Sequence, residues 1–134
     1  PLNYSTLSDG GGLVIQSHNN NPVYFYTSGT ESGRFDASGN LTATGNVTAY
    51  SDERLKSDIE TLDGSKVYEM RGVGFTKDGE AGSGVIAQEL QKVAPELVHE
   101  GGEYLSVAYG NLVGYLIEAV KDLRAEVEEL KGAK

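Results

Sequence analysis

The first fifty residues alternate between short apolar runs and polar turn residues, a pattern typical of β-structure. Val23–Tyr26 is an aromatic run with strong strand propensity, and the Asn-rich residues 19–22 and Ser38–Asn40 are typical of turns. Over residues 41–50, apolar or small residues alternate with polar ones at a period of two, which predicts a half-buried strand. We therefore expect a β-rich segment over residues 1–50.

Large apolar side chains are too few in this segment to form a substantial core within one chain. Two interpretations stay open: a weak independent β-sheet domain, or a β-module that identical chains complete. We favour the second interpretation, because small isolated sheets are only marginally stable.

The distribution of charge changes at Ser51. Residues 1–50 contain three acidic side chains and one arginine, a net charge of −2, whereas residues 51–134 carry the remaining −7 of the total of −9. This shift from sparse to dense charge predicts a domain boundary, with one domain over residues 1–50 and another over residues 51–134.

The second domain mixes helix and strand signals. Ser57–Glu60 fits a capping box and predicts a helical turn, and Val67–Thr76 is a candidate strand. Gly84–Val93 has the pattern of a strand end that leads into an amphipathic helix, and Pro95 is expected to end that helix. Two short segments are expected to pair as a hairpin: Leu97–His99 and Tyr104–Val107.

The last segment of the sequence has a heptad pattern with Val at every a position and Leu at every d position. These residues are Val113, Leu116, Val120, Leu123, Val127 and Leu130. Glu126 is placed to pair with Lys131 of a neighbouring helix. A self-associating helix is favoured over a helix packed only on its own domain, because the segment is charged on its outer face. The pattern does not determine how many helices associate, although Val at a with Leu at d favours dimers in simple parallel coiled coils.

Composition excludes several classes of partner and site. A net charge of −9 disfavours nucleic acid and anionic membranes as partners. No run of 18 apolar residues exists, so no membrane-spanning segment is predicted, and no signal peptide is visible. Pro1 in place of an initial Met indicates a fragment or a processed product.

Conventional sites are not indicated by the sequence. The chain has no cysteine, and His18 and His99 do not have the spacing of metal ligands, so we expect no metal and no cofactor. No phosphate-binding loop and no nucleophile elbow are present. An enzyme that acts on an external substrate is therefore disfavoured.

One charged hexapeptide remains, Ser51–Lys56, which by composition alone is a solvated linker or a helix start with Ser51 as N-cap. Its pattern Ser-Asp-x-x-Leu-Lys resembles the opening motif of the C-terminal intramolecular chaperone domain of endosialidase-type phage tail spikes and L-shaped tail fibres. Gly84–Val98 is similar to the second characteristic stretch of that family, and Tyr109–Leu130 is similar to the third. The three stretches occur in the order of the family.

The resemblance implies an α+β protein. It would consist of a β-rich fibre or spike segment over residues 1–50, a small α/β body, and a long C-terminal helix in a trimeric coiled coil. Such a domain drives folding and homotrimerisation of the upstream fibre chain and then releases itself. The implied location is a virion tail assembled in the host cytoplasm, with a host surface receptor as a possible partner of the fibre part.

The resemblance also implies a self-cleaving serine endopeptidase with a single turnover. Cleavage would fall between Tyr50 and Ser51, with Ser51 as nucleophile and Lys56 as general base. Arg54 is a neighbouring cation that we expect to favour the neutral amine of Lys56.

The spacing of the two catalytic candidates constrains their geometry, because residues five apart lie about 140° apart around a regular helix. Either the chain turns sharply between Ser51 and Lys56, or Ser51 lies in a strand before a helical turn, or the lysine comes from a neighbouring chain. The alternative function is a trimeric fibre tip or receptor-binding module that does not cleave, with Tyr24, Tyr26 and Tyr50 on its surface.

Overall fold

The computed structural model describes residues 5–7 and 14–133, and the chain divides into two compact units, Pro1–Lys56 and Ser57–Lys134. Each unit is described by itself. The α+β class expected from the sequence is confirmed, since small antiparallel sheets are combined with a long C-terminal helix.

The first unit consists of short antiparallel strands. Strands β1 (Ser5–Leu7) and β2 (Val14–Gln16) form one pair, and a second sheet has the order β3–β4–β5. The strands of this second sheet are β3 (Val23–Thr27), β4 (Thr30–Phe35) and β5 (Leu41–Ala43). The strand predicted at Val23–Tyr26 is therefore confirmed.

Both predicted turns of this unit are present. Asn19 and Asn20 each have a φ of 60°, a left-handed conformation that Asn tolerates better than most residues. In the second turn, the Asp36 carboxylate accepts hydrogen bonds from the backbone N–H groups of Ser38 and Asn40, at 2.9 and 2.8 Å. The side-chain amide of Asn40 also donates to this carboxylate, at 3.0 Å, and this bond, together with the backbone bonds, keeps the pKa of Asp36 below its usual value.

The strand predicted over residues 41–50 is wrong beyond Ala43. Strand β4 has a bulge at Ser32, where its register with β3 shifts, and the carbonyl of Ser32 accepts the backbone N–H of Thr44 at 3.1 Å. In the register that pairs Gly33 with Ala43, strand β4, which begins at Thr30, has no residue opposite positions 47–50. The residues that follow lie outside any strand, and the side chain of Val47 is 84% exposed.

The three-stranded sheet leaves its aromatic side chains exposed. Tyr24 and Tyr26 lie with ring centroids 6.0 Å apart, and Phe25 packs edge-on against Phe35 at 6.3 Å. Neighbouring residues of a strand point to opposite faces, so both faces carry large rings that remain in contact with solvent.

The second unit contains two hairpins, two α-helices and short 3-10 turns. Its strands are β6 (Gly72–Lys77), β7 (Glu80–Val85), β8 (Val98–His99) and β9 (Ser106–Val107). Its helices are α1 (Ala87–Val93) and α2 (Leu112–Gly132), and its 3-10 turns are Gly64–Glu69, Pro95–Leu97 and Tyr109–Asn111. The strand-to-helix transition before Pro95 is confirmed, as is the pairing of the two short segments as β8 and β9.

Two local predictions in this unit are wrong. Ser57 caps no helix, because Asp58 has a φ of 52° and cannot start a right-handed turn. Val67 lies in a 3-10 turn instead of a strand, since the Asp63 carboxylate accepts from the backbone N–H of Ser65 at 3.0 Å and caps that turn. The strand begins only at Gly72.

The core of the second unit lies between α1, the turn that follows it, and the start of α2. Its buried residues are Leu90, Ala94, Leu97, Val98 and Tyr115. Helix α2 contributes Tyr115, whose side chain is only 2% exposed, and one turn later Ala119 is also buried. The helix therefore packs on its body through a face with a spacing of four residues.

A close backbone contact holds this face of α2. Gly64 is buried, and a Cβ atom placed on it would lie 2.4 Å from the nitrogen of Ala119 and 2.6 Å from the carbonyl carbon of Glu118. Only a residue without a side chain fits in this space, so the turn that follows Asp63 lies directly on the helix backbone.

The Tyr115 hydroxyl donates a hydrogen bond to the carboxylate of Glu96, which follows Pro95. Burial, together with this bond, raises the pKa of Tyr115 to about 12, and the same bond lowers the pKa of Glu96. The ammonium of Lys66 lies 5.8 Å from the centre of the tyrosine ring. Polar contacts thus reinforce the apolar packing of α2.

Replacing Gly64 with Ala is expected to destabilise the second unit by roughly 1–3 kcal/mol, because the new methyl group overlaps the backbone of α2. Urea unfolding of the parent and of Gly64→Ala at equal protein concentration measures the difference. Gly110→Ala is the matched control, since a Cβ atom at that position meets open space. Equal destabilisation by both changes would contradict the close contact.

Replacing Tyr115 with Phe is expected to reduce the loss of folding stability at acidic pH. Because the pKa of Glu96 is lowered in the folded protein, its contribution is complete above its ordinary value of 4.5 and is lost as the pH falls. The parent should therefore lose more stability than Tyr115→Phe between about pH 5 and 3. Thermal unfolding at several pH values tests this, with Tyr104→Phe, at an exposed position, following the parent.

Candidate active site

The hexapeptide Ser51–Lys56 folds as a single tight turn. Glu53–Leu55 forms one turn of 3-10 helix, with Asp52 as its N-cap and Lys56 as its C-cap, and both caps have extended backbone. The backbone N–H of Lys56 donates to the carbonyl of Glu53 at 3.0 Å and closes the turn. Ser51 therefore lies directly before the turn and Lys56 directly after it.

This turn brings the two catalytic candidates into contact. The Nζ atom of Lys56 donates a hydrogen bond to the Oγ atom of Ser51 at 2.7 Å, within one chain. Of the arrangements compatible with the sequence, the structure has the sharp turn, which removes the angular separation of a regular helix. Both side chains are exposed to solvent.

Arg54 is held by Asp52. Its Nε and Nη2 atoms donate to the two oxygens of the Asp52 carboxylate at 2.9 and 2.7 Å, and its backbone N–H donates to the same carboxylate at 2.9 Å. The side-chain hydrogen bonds lower the pKa of Asp52 and raise that of Arg54. A carboxylate therefore balances the positive charge of Arg54 locally.

The peptide bond between Tyr50 and Ser51 is open to solvent. No helix or strand occurs between Ala43 and Glu53, and the side chain of Tyr50 is 97% exposed. Water therefore has access to this bond in the single chain. The Ser51 hydroxyl belongs to the residue that directly follows the Tyr50 carbonyl.

The six residues of the predicted heptad seam lie together on one face of α2, beside the face that carries Tyr115 and Ala119. Their exposed fractions range from 46% to 73%. The predicted pair partners Glu126 and Lys131 are exposed as well. The helix therefore uses one face for its own body and leaves the heptad face uncovered in the single chain.

The two histidines belong to different units of the chain. His18 belongs to the first unit, where its carbonyl accepts from the side-chain amide of Asn21 at 2.9 Å, and His99 lies in β8 of the second unit. Over residues 5–7 and 14–133, no group of three metal-ligating side chains has the proximity that a metal ion requires. None of the helices in that part of the chain is long and apolar enough to cross a membrane.

Two features were not predicted from the sequence, one in the Ser51–Lys56 turn and one in the second unit. Asp52 caps the 3-10 turn. This role could have been predicted from the sequence, because Asp is among the best N-cap residues. In the second unit, the hydroxyl of Tyr109 lies against Gly84, where a Cβ atom would be only 2.5 Å away. An open cleft of about 650 Å³ lies nearby, with lining residues drawn from Phe75 to Tyr109, so it does not contain the Ser51–Lys56 pair.

Comparison with protein families gives a match that begins at Ser51. Residues 51–99 match the family model Peptidase S74, described as chaperone of endosialidase. The resemblance predicted from the motif is confirmed over these residues. Both Ser51 and Lys56 lie at the start of the chaperone-of-endosialidase match, and the match ends at residue 99, before helix α2.

Two curated proteins are similar over a larger part of the chain. Both are named long tail fiber protein Gp37, one from Enterobacteria phage K3 and one from Enterobacteria phage T2, and each is 39% identical over 95 residues. The alignments cover 60% of this chain but only 8% and 7% of the two relatives. The chain therefore corresponds to a small part of these tail fibre proteins.

Proposed function

We propose that residues 51–134 form an intramolecular chaperone that drives trimerisation and folding of a phage tail fibre or spike and then releases itself by cleavage between Tyr50 and Ser51. Residues 1–50 are the β-rich end of that fibre. The observation that carries the proposal is the 2.7 Å hydrogen bond between Lys56 and Ser51 at the start of the family match.

The chemistry follows from the order of atoms along the chain. The Oγ atom of Ser51 attacks the carbonyl carbon of Tyr50, and its proton passes to the neutral amine of Lys56. The bond between the carbonyl carbon and the nitrogen of Ser51 breaks, and the lysine ammonium returns the proton to that nitrogen. An ester joins Tyr50 to the Ser51 oxygen, and water hydrolyses it to a new carboxylate and a serine with a free amine.

Base catalysis requires the unprotonated amine, whereas in the single chain Lys56 is an exposed donor to Ser51. Burial disfavours the charged form of a lysine. Neighbouring chains that exclude water from the turn would therefore switch on the base, so that cleavage follows assembly. This order is useful, because a clamp removed before folding would leave the fibre chains unaligned.

The chaperone role rests on the two faces of α2. One face packs on the body of the domain, while Val113, Leu116, Val120, Leu123, Val127 and Leu130 remain exposed. A parallel association of three such helices would bring three chain ends together and raise the effective concentration of the preceding segments. Exposed rings on both faces of the β3–β5 sheet fit a segment that other chains complete.

The two Gp37 relatives, which are tail fibre proteins by name, support the virion tail as the location of the finished fibre. The upstream chain and two further copies are the proposed partners, and assembly would take place in the host cytoplasm.

A second candidate function is a trimeric fibre tip that binds a host surface receptor and is never cleaved. The observation that favours it is the exposure of Tyr24, Phe25 and Tyr26 on one short strand, since aromatic rings are common in binding surfaces. Cleavage separates the two candidates.

The parent chain is expected to yield a product that begins at Ser51, and Ser51→Ala is expected to remain whole. Lys56→Gln should slow cleavage by about 100-fold or more, because no general base remains. Lys56→Arg should behave in the same way, since a guanidinium is not deprotonated in proteins. Intact mass and N-terminal sequencing after purification measure the products.

The matched control for this series is Ser57→Ala, an exposed serine outside the turn, which should cleave at the parent rate. Hydroxylamine should trap the ester and leave a hydroxamate on Tyr50. A parent chain that stays whole while forming trimers would overturn the self-cleavage and leave the fibre tip as the function.

A charge on the heptad face is expected to prevent trimerisation. Val120→Glu would bury three unpaired carboxylates in the seam, each at a cost of several kcal/mol. Ala125→Glu adds the same charge at an exposed position on the opposite side of the heptad and should leave the trimer intact. Sedimentation equilibrium gives the masses. A Val120→Glu protein with the parent mass would contradict the proposed seam.

A further inference from the structure

The contact between Ser51 and Lys56 depends on a turn of only three residues. Its backbone hydrogen bonds run from Leu55 to Asp52 at 3.1 Å and from Lys56 to Glu53 at 3.0 Å. One turn of 3-10 helix has poor hydrogen-bond geometry and does not persist by itself in water. Further contacts must therefore hold the turn if the pair is to stay together.

The carboxylate of Asp52 supplies these contacts. One oxygen accepts from the backbone N–H of Arg54 and from its Nε atom, both at 2.9 Å, and the other accepts from Nη2 at 2.7 Å. A side-chain acceptor at an N-cap satisfies a donor that the turn leaves free. Asp52 is thus bonded to the middle of the turn through both backbone and side chain.

The position of Asp52 links these hydrogen bonds to the contact between Ser51 and Lys56. Asp52 follows Ser51 directly, and Lys56 is the C-cap of the same turn. If the turn opens, residues 53–55 become extended, and five residues of extended chain separate Ser51 from Lys56 by far more than the length of a hydrogen bond. The 2.7 Å contact exists only while the turn is closed.

We propose that Asp52 is a positioning residue for the self-cleavage: by capping the 53–55 turn, it holds the amine of Lys56 against the hydroxyl of Ser51. This inference rests on the proposed function. The cap bond to the backbone of Arg54 is the essential part, and the ion pair with the Arg54 side chain reinforces it. Ion pairs between exposed groups contribute little, whereas loss of a cap opens the turn.

Three variants separate the effect of the N-cap hydrogen bond from that of the ion pair between Asp52 and Arg54. Asp52→Ala removes both, Asp52→Asn keeps a side-chain oxygen for the cap and loses the ion pair, and Arg54→Ala keeps the backbone donor. The first-order cleavage rate should fall at least tenfold in Asp52→Ala, since small displacements of reacting groups reduce rates strongly. It should stay within about threefold of the parent in the other two.

The pH profile of cleavage distinguishes positioning from an electrostatic action on Lys56. The rate of Asp52→Ala should be lower at every pH, with the midpoint of the profile unchanged, because the base is the same. A shifted midpoint would overturn the positioning role. So would an Asp52→Asn chain as slow as Asp52→Ala, or an Asp52→Ala chain as fast as the parent.

A measurement that needs no cleavage keeps the inference separate from the proposed function. In the Ser51→Ala background, nuclear Overhauser effects between the β-protons at position 51 and the ε-protons of Lys56 report the closed turn. They should be present with Asp52, retained in Asp52→Asn and lost in Asp52→Ala. Their persistence in Asp52→Ala would overturn the positioning role even if the parent never cleaves.

Discussion

Gly64 touches the backbone of helix α2, and this contact determines which face of the helix is buried. The glycine lies against Ala119, and one turn earlier Tyr115 fills the core and bonds to Glu96. The helix is therefore fixed in rotation about its own axis. Its Val and Leu heptad face remains outside because the Tyr115 face is already occupied.

The proposed chaperone function requires this separation of the two faces of α2. A helix that used its heptad residues to pack on its own domain would have nothing left for partner chains. Here the core of the second unit forms around Leu90, Leu97 and Tyr115, while the heptad residues of α2 stay between 46% and 73% exposed. The first unit has a related property, since its three-stranded sheet exposes aromatic rings on both faces.

The candidate active site depends on weaker interactions than the packing of α2 does. Ser51 and Lys56 meet across one 3-10 turn, on the surface, without support from a buried core. Such a site is assembled by local hydrogen bonds and is exposed to water. The self-cleavage that we propose would therefore need neighbouring chains to change the surroundings of this turn.

Much of this arrangement follows from the order of residues. The Asn-rich turn, the strand at Val23–Tyr26, the helix that ends before Pro95 and the heptad helix all arise from local preferences, which act within a few residues. Asp78-Gly79, between β6 and β7, is a further local signal, since both residues have positive φ in the hairpin turn. The motif at Ser51–Lys56 likewise pointed to the residues of the site.

Tertiary structure decided what local preferences leave open. The alternation over residues 41–50 suits a strand, but a strand needs a partner, and β4 is too short to pair with residues 47–50. The burial of Tyr115 instead of the heptad residues depends on Gly64, which is distant in sequence. The contact of Ser51 with Lys56 required the turn that Asp52 caps, because spacing restricts geometry without selecting one conformation. Sequence by itself determined most of the elements and the candidate residues, and three-dimensional packing determined where strands end and which faces and atoms meet.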